Sequence, residues 1–406
     1  MKVAIVAEYY PRAGDPASGI WAHRQAVAAR DLGAEVRVLV LHRPVPPLAA
    51  IRTLDAGALA RAVGQPPHVV LDGIDVRYVR YVSPPRPWSY GSWGLWAAPA
   101  LALALRRLHR EFPFDLVHAH YAVPAGDAVR RVAANVPLVV SVHGGDVYAT
   151  SSLRAGARTV RATLGHARLV LANSAGTARR CAEHGARATR IVHLGAELTP
   201  PAPPALHAAP ALHAAPAPHA APAAPPTLVT VGHLIPRKRH ADVIAALARL
   251  SPAHPDLRYV VVGDGPERER LRALARSLGV GDRVDLRGQL QPEEAAACAR
   301  AGTVFVLPSV DEAFGVAYVE AMAGGVPAIG CLGEDGPEEI AAAGGGIVLV
   351  PRGDVEALAA GIEALITDVD RRAALGREAL ATVRRAFTWE QCGRDTVAAY
   401  REATDS

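Results

Sequence analysis

Residues 303–330 read TVFVLPSVDEAFGVAYVEAMAGGVPAIG, and the fold turns on this stretch. It opens on an apolar, β-branched run, Val304-Phe305-Val306-Leu307, which predicts a strand buried on both faces. Pro308 and Ser309 end the strand, and an acidic loop from Asp311 to Gly315 follows. A helix is expected from Val316 to the Gly324-Gly325 stop, where glycine takes the positive φ of a C-terminal cap. A loop at the carboxyl end of a strand, leading into a helix N-terminus, suits an anion, because free backbone N–H groups and the helix dipole point at one spot. Gly315 has no side chain to hold a phosphate off that backbone. Glu312 lies before this pocket and Glu320 one to two turns into the helix. Two carboxylates beside a phosphate site, with no aspartate cluster for a metal, point to the binding of sugar and ribose hydroxyls.

Outward from this stretch, strand and helix patterns alternate through the chain, which argues for parallel, doubly wound α/β sheets. In the first half, strands are expected at 2–7, 35–41, 75–79, 115–119, 138–142, 169–172 and 190–193. Helices fit at 20–32, 95–110, 126–134, 153–164 and 175–184, while 44–67 carries no pattern that places it. The second half repeats the plan, with strands at 227–231, 258–262, 284–286, 303–307, 327–329 and 346–350. Its helices are expected at 239–250, 267–278, 293–301, 316–323, 338–343, 355–366, 371–386 and 389–402.

Between the halves, 200–226 is almost wholly Pro, Ala, His and Leu, with the repeat Pro204-Ala-Leu-His-Ala-Ala and its copies at Pro210 and Pro216. This composition reads as a linker of polyproline character. Its histidines, His207, His213 and His219, fall six residues apart. That is about 19 Å along a polyproline helix, too far to share a metal ion. The organisation is therefore a first Rossmann-like domain at 1–199, a linker at 200–226, a second such domain at 227–387, and a helical segment at 388–406.

Half of the 406 residues are hydrophobic, so sizeable cores are available for two domains. A net charge of +5 without any Lys/Arg-rich run gives no footprint for nucleic acid. Cys181, Cys298, Cys331 and Cys392 are far apart and read as reduced and buried, as in a cytoplasmic protein. The opening MKVAIVAEYYPRAG reads as a strand running into a loop rather than a secretory leader. Trp93 to Leu105 is too short to span a bilayer and is interrupted by Pro99, which leaves a peripheral contact with the inner face of the cell membrane. With Trp88 and Trp96 it either serves a lipid-linked acceptor or such a surface, or is an ordinary amphipathic core helix.

Glu312-Ala-Phe-Gly-Val-Ala-Tyr-Val-Glu320, continued by Ala321 to Pro327, resembles the Glu-x7-Glu motif of retaining glycosyltransferases with the GT-B fold, in particular their fourth family. The resemblance covers nearly the whole chain apart from the linker. It implies two Rossmann-like domains facing a central cleft, with a final helix crossing back onto the first. It also implies transfer of a sugar from a nucleoside diphosphate sugar to a glycan, lipid-linked or small-molecule acceptor, with no cofactor and no metal. By the same resemblance Glu312 meets the donor sugar, Phe314, Gly315 and Val316 line the donor, and Glu320 meets the ribose.

Gly232-His-Leu-Ile-Pro-Arg-Lys-Arg resembles the family's Gly-Arg-Leu-x-Pro-x-Lys-Gly loop, which puts Lys238 on the leaving diphosphate. Two departures stand out: His233 replaces the arginine and Arg239 the glycine. Arg237 or Arg239 is left to supply the missing charge, or both are solvated. The turn 261–267 would shape the nucleotide pocket through Gly265, with Asp264 as a helix-capping residue, and Gln289 would border the base. In the first domain Ser18 and Gly19 would approach the diphosphate, with an N-cap role as the alternative for Ser18. His143 of the His-Gly-Gly-Asp segment would lie near the reacting carbon, with Asp146 and His120 on the acceptor side. Two other readings remain: a sugar-nucleotide epimerase on the same fold, and a non-catalytic nucleotide-sugar-binding protein, which His233 favours.

Overall fold

The structure, a computed structural model, describes residues 1–44, 56–57, 64–84, 89, 91–198 and 225–405. The tract at 200–226, save its last two residues, and Trp88 lie outside them. The chain divides into two compact units, Met1–Leu194 with Trp389–Ser406, and Gly195–Thr388.

The first unit is built on eight strands: β1 (Lys2–Ala7), β2 (Glu35–His42), β3 (His68–Leu71), β4 (Ile74–Arg80), β5 (Leu116–His120), β6 (Leu138–Val142), β7 (Leu169–Ala172) and β8 (Thr189–Ile191). Their order is β3-β4-β2-β1-β5-β6-β7-β8. All neighbours pair parallel except β3 and β4. That pair is an antiparallel hairpin whose turn puts Asp72 and Gly73 at positive φ. The sheet is thus mixed, and β3 was not anticipated: its alternating, half-exposed HVVL is an edge strand. The central strands β1, β5, β6 and β7 are buried on both faces because helices cover both.

The helix Trp389–Asp405 belongs to this unit. Gly393 seats on the Ala28 carbonyl of the helix Ile20–Asp31, where a Cβ would leave no room. Gln25 donates to Thr396 at 2.9 Å, and Tyr400 meets His118 at 2.8 Å.

The second unit carries β9 (Thr227–Val231), β10 (Arg258–Val262), β11 (Val284–Gly288), β12 (Val304–Val306), β13 (Ala328–Cys331) and β14 (Ile347–Val350). They form one parallel sheet in the order β11-β10-β9-β12-β13-β14. This is the doubly wound order in which chain direction reverses between β9 and β12, so the loops leaving those two strands diverge and open a crevice. The apolar run that opened the sequence reading lies here, with Val304, Phe305 and Val306 fully buried. Truncating Phe305 to Ala would cost about 3–5 kcal/mol through the cavity left behind. All four cysteines are buried and unpaired. Among the described residues, no helix is long and apolar enough to cross a membrane.

Candidate functional site

The second unit gathers its polar groups at the reversal point. After β9 the chain makes a tight turn, Pro236–Lys238, which sends the Lys238 side chain inward to 9% exposure. After β12 the loop carries Glu312, also buried, through an Asp311 at φ 54. Lys238 Nζ and Glu312 Oε2 meet at 2.5 Å, and the Ser309 hydroxyl donates to the same oxygen at 2.8 Å. Arg237, exposed, stands 4.0 Å from it. Burial works to raise the Glu312 carboxyl, but the charges of Lys238 and Arg237, with hydrogen bonds from Lys238 and Ser309, hold it below its usual value. The Glu312 carboxylate is therefore favoured in its charged form, in a pair that is almost wholly buried.

Gly315 follows at φ +84, and a side chain there would collide with the Tyr318 ring, so only glycine fits. The helix it opens, Val316–Met322, is two turns long and places Glu320, half-buried, in its second turn. Phe314 is buried against Phe387, with ring centroids 5.4 Å apart, so its ring serves the core rather than an open pocket.

The other second-unit residues lie on neighbouring loops. His233 is exposed; only its backbone is engaged, the carbonyl facing His240 Nε2 at 3.1 Å. Gly265 is explained by packing, since a Cβ there would come within 2.5 Å of the Leu234 carbonyl. Gly263 is pressed against Gly232 in the same way, so the two glycine-bearing turns lock together. Asp264 does not cap the following helix: it accepts from the Gly265 amide at 2.8 Å, and Glu267 occupies the cap position. Gln289 is exposed just past β11.

Arg239 explains its own departure from the family pattern. It sits at φ 53, the left-handed region that favours glycine, and is braced by Asp242 at 2.6 Å. It is thus a strained loop residue tied to its own helix, not a free cation.

In the first unit the polar groups cluster where β1, β5, β6 and β7 end. His118 and His120 are both fully buried with ring centroids 4.5 Å apart. His118 bonds Tyr400 and Ser141, each at 2.8 Å. His120 Nδ1 lies 3.0 Å from Nε2 of the half-buried His143, and their rings stack with an 8° interplanar angle. Burial pushes His118 and His143 down to about 3 and His120 well below its ordinary value. All three imidazoles are therefore neutral at physiological pH: His143 is a hydrogen-bonding group here, not a cation. His143 Nδ1, His120 Nε2, Trp21 Nε1 and Asn173 Oδ1 are buried with no hydrogen-bond partner in the structure, and the first three belong to rings that contact one another.

Asp146, fully buried, is turned inward and accepts from the Ala122 amide at 2.9 Å. Burial pushes its carboxyl up to about 7, against the pull of the Ala122, Val123 and His143 amides. Through this bond it pins the loop after β5, while its Oδ2 is buried with no hydrogen-bond partner in the structure. Ser18 does not cap the following helix, because Gly19 holds that position in the left-handed conformation; the Ser18 hydroxyl accepts from Arg12 at 3.2 Å. Gly19 is obligatory, since a Cβ there would overlap the Tyr9 carbonyl. Beside His143 lies a cavity of about 140 Å³ lined by Tyr9, Trp93, Tyr121, Val123 and Thr150. Tyr121 holds a strained φ of 75, and its ring lies 5.2 Å from that of His143.

Residues 19–199 match the model described as Glycosyltransferase Family 4, and 214–382 the model described as Glycosyl transferases group 1. A D-inositol 3-phosphate glycosyltransferase of Acidothermus cellulolyticus is 30% identical over 385 residues, covering 87% of this chain and 83% of that protein. The chain belongs to glycosyltransferase family 4. The fold of this family 4 chain is GT-B: sucrose-phosphate synthase from Thermosynechococcus elongatus superposes with a TM-score of 0.77 at 22% identity, over 99% of this chain and 98% of that one. An exopolysaccharide phosphotransferase of Streptomyces coelicolor is 43% identical, over only 35% of this chain and 15% of its own. The chain spans less than half the length of several curated relatives it matches.

In this family 4 chain, sequence reasoning passed over Ser309, Glu334, Trp21, Tyr121, Ser141 and Asn173. Asn173 had a signal, being a polar residue directly after a buried strand, and Ser309 a weaker one, being polar and following the buried run 304–307 after Pro308. Glu334, 22 residues from Glu312, had none; it accepts from the Glu312 amide at 2.9 Å only because the fold brings β13 beside β12.

Proposed function

We propose that this chain transfers a sugar from a nucleoside diphosphate sugar to a hydroxyl of a glycan, lipid-linked or small-molecule acceptor, with retention of anomeric configuration. The buried, ionised Lys238–Glu312 pair at the reversal point of the second sheet carries this reading. Lys238 supplies positive charge for the diphosphate as it departs, in a site where little water screens it. Glu312 offers acceptor oxygens to donor-sugar hydroxyls, and Glu320 does the same for the ribose. The bond from the anomeric carbon to the phosphate oxygen breaks, and one to the acceptor oxygen forms on the same face. The acceptor proton goes to the leaving phosphate. Neutral His143 orients by hydrogen bonding and donates no net charge. The 140 Å³ cavity beside it has room for about one six-membered ring.

The reading includes a peripheral membrane contact through the helix Trp93–Glu111. It presents Leu95, Trp96 and Leu103 at 51%, 44% and 65% exposure, followed by exposed Arg106, Arg107 and Arg110. Flotation with anionic but not neutral vesicles is expected; no flotation with either removes this part.

Turnover tests the whole. Incubated with a panel of nucleoside diphosphate sugars and a glycan and lipid extract, the protein should release nucleoside diphosphate and place the sugar on an acceptor, and Glu312→Gln should not. Conversion of a donor without acceptor would show the epimerase. Donor binding without turnover would show the non-catalytic reading, which the exposed His233 favours.

A further inference from the structure

The loop bearing Glu312 is held on both of its backbone groups by the segment after β13. The Glu312 amide donates to Glu334 Oε2 at 2.9 Å, and the Glu312 carbonyl accepts from the Gly336 amide at 3.0 Å. Gly336 is packed so closely on the Phe314 carbonyl that a Cβ there would overlap it. Glu334 is 3% exposed, yet its second oxygen meets Arg352 at 2.5 Å, and Arg352 is half-exposed. A line of contacts thus runs from the surface through Arg352 and Glu334 to the backbone of Glu312, whose carboxylate is fixed separately by Lys238 and Ser309. A buried carboxylate is costly unless it is paired and hydrogen-bonded, and Glu334 is both, through Arg352 and the Glu312 amide.

We infer that Glu334, charge-balanced by Arg352, is a positioning residue that sets the backbone of Glu312 and so the placement of its carboxylate on the donor sugar. This rests on the reading that Glu312 meets the donor sugar. The groups facing Glu334 are Arg352, Asp311, Glu312, Tyr318 and Cys331. Burial raises its carboxyl, the Glu312 amide and Arg352 pull it down, and Asp311 and Glu312 push it up again. Arg352 is the one cation among these neighbours. Its removal raises the carboxyl further, so Glu334 becomes protonated at a higher pH.

The test compares turnover, nucleoside diphosphate affinity and pH profile. Glu334→Ala should lower kcat by roughly 10- to 100-fold, the range for a small displacement of a reacting group, and leave nucleoside diphosphate Kd within about twofold. Arg352→Ala, altering a half-exposed side chain and so keeping the fold if Glu334→Ala does not, should lower kcat more at acidic pH than at neutral pH. Arg352→Lys should restore the profile. Wild-type turnover in Glu334→Ala, or an unchanged profile in Arg352→Ala, overturns the inference if Glu312→Gln is impaired. Should Glu312→Gln also turn over normally, the donor-site reading itself has failed.

Discussion

Replacing Lys238 with Met keeps most of the side-chain volume and removes the ammonium from the buried pair. What remains is a carboxylate at 7% exposure, with the Ser309 hydroxyl at 2.8 Å and Arg237 at 4.0 Å. Breaking a buried ion pair from one side costs about 3–5 kcal/mol, and the two remaining partners place this case near the lower end. Replacing both members, Lys238→Met with Glu312→Gln, removes the stranded charge and should cost about 2 kcal/mol less than the single lysine change. The pH dependence has a definite sign. In the wild type the Glu312 carboxyl is depressed, so its contribution is present above the unfolded value and is lost as pH falls through the lower, folded one. Without Lys238 the burial influence dominates and the carboxyl rises, so the variant recovers as pH falls through that raised value. The gap between wild type and Lys238→Met should therefore narrow from pH 8 to pH 5. The five tryptophans all lie outside residues 195–388, so fluorescence follows the first unit. Hydrogen exchange of the peptides spanning β9 and β12 reads the second. Equal losses in the single and double variants, or a gap that does not change with pH, would refute a buried, ionised pair.

Arg239→Gly should be neutral or stabilising by up to about 1 kcal/mol in urea unfolding: relief of the left-handed conformation, about 1–2 kcal/mol, outweighs loss of the Asp242 pair. Gly19→Ala should destabilise the first unit by about 2 kcal/mol or more, read by tryptophan fluorescence, because the added methyl meets the Tyr9 carbonyl. Turnover should persist in EDTA, since Lys238 is the charge assigned to the diphosphate; loss that magnesium or manganese restores would refute that assignment.

The strands that could be read to the residue, Lys2–Ala7, Leu138–Val142, Leu169–Ala172, Thr227–Val231 and Arg258–Val262, are inner strands buried along almost their whole length. There a continuous β-branched run has no other way to bury itself. His68–Leu71 escaped because an antiparallel edge strand needs no such run. At the site, Lys238, Glu312 and Gly315 were legible because each lies in a short local pattern that dictates its geometry. Glu334 and the His118–Tyr400 contact were not, because each joins residues that only the sheet order or the returning helix brings together. Arg239 shows the converse: its oddity was visible as a missing glycine, but its Asp242 partner was not recognised.

The central claim is that Glu312 and Glu320 divide the donor between them, and calorimetric titration of the two alanine variants tests it most directly. Losing a charged hydrogen-bond partner costs about 1.5–3 kcal/mol. Glu320→Ala should therefore weaken the free nucleoside diphosphate and the intact nucleotide sugar alike. Glu312→Ala should leave the free nucleoside diphosphate nearly unchanged, while donor turnover falls. Equal weakening of the bare nucleotide by both substitutions, or by neither, would contradict the account.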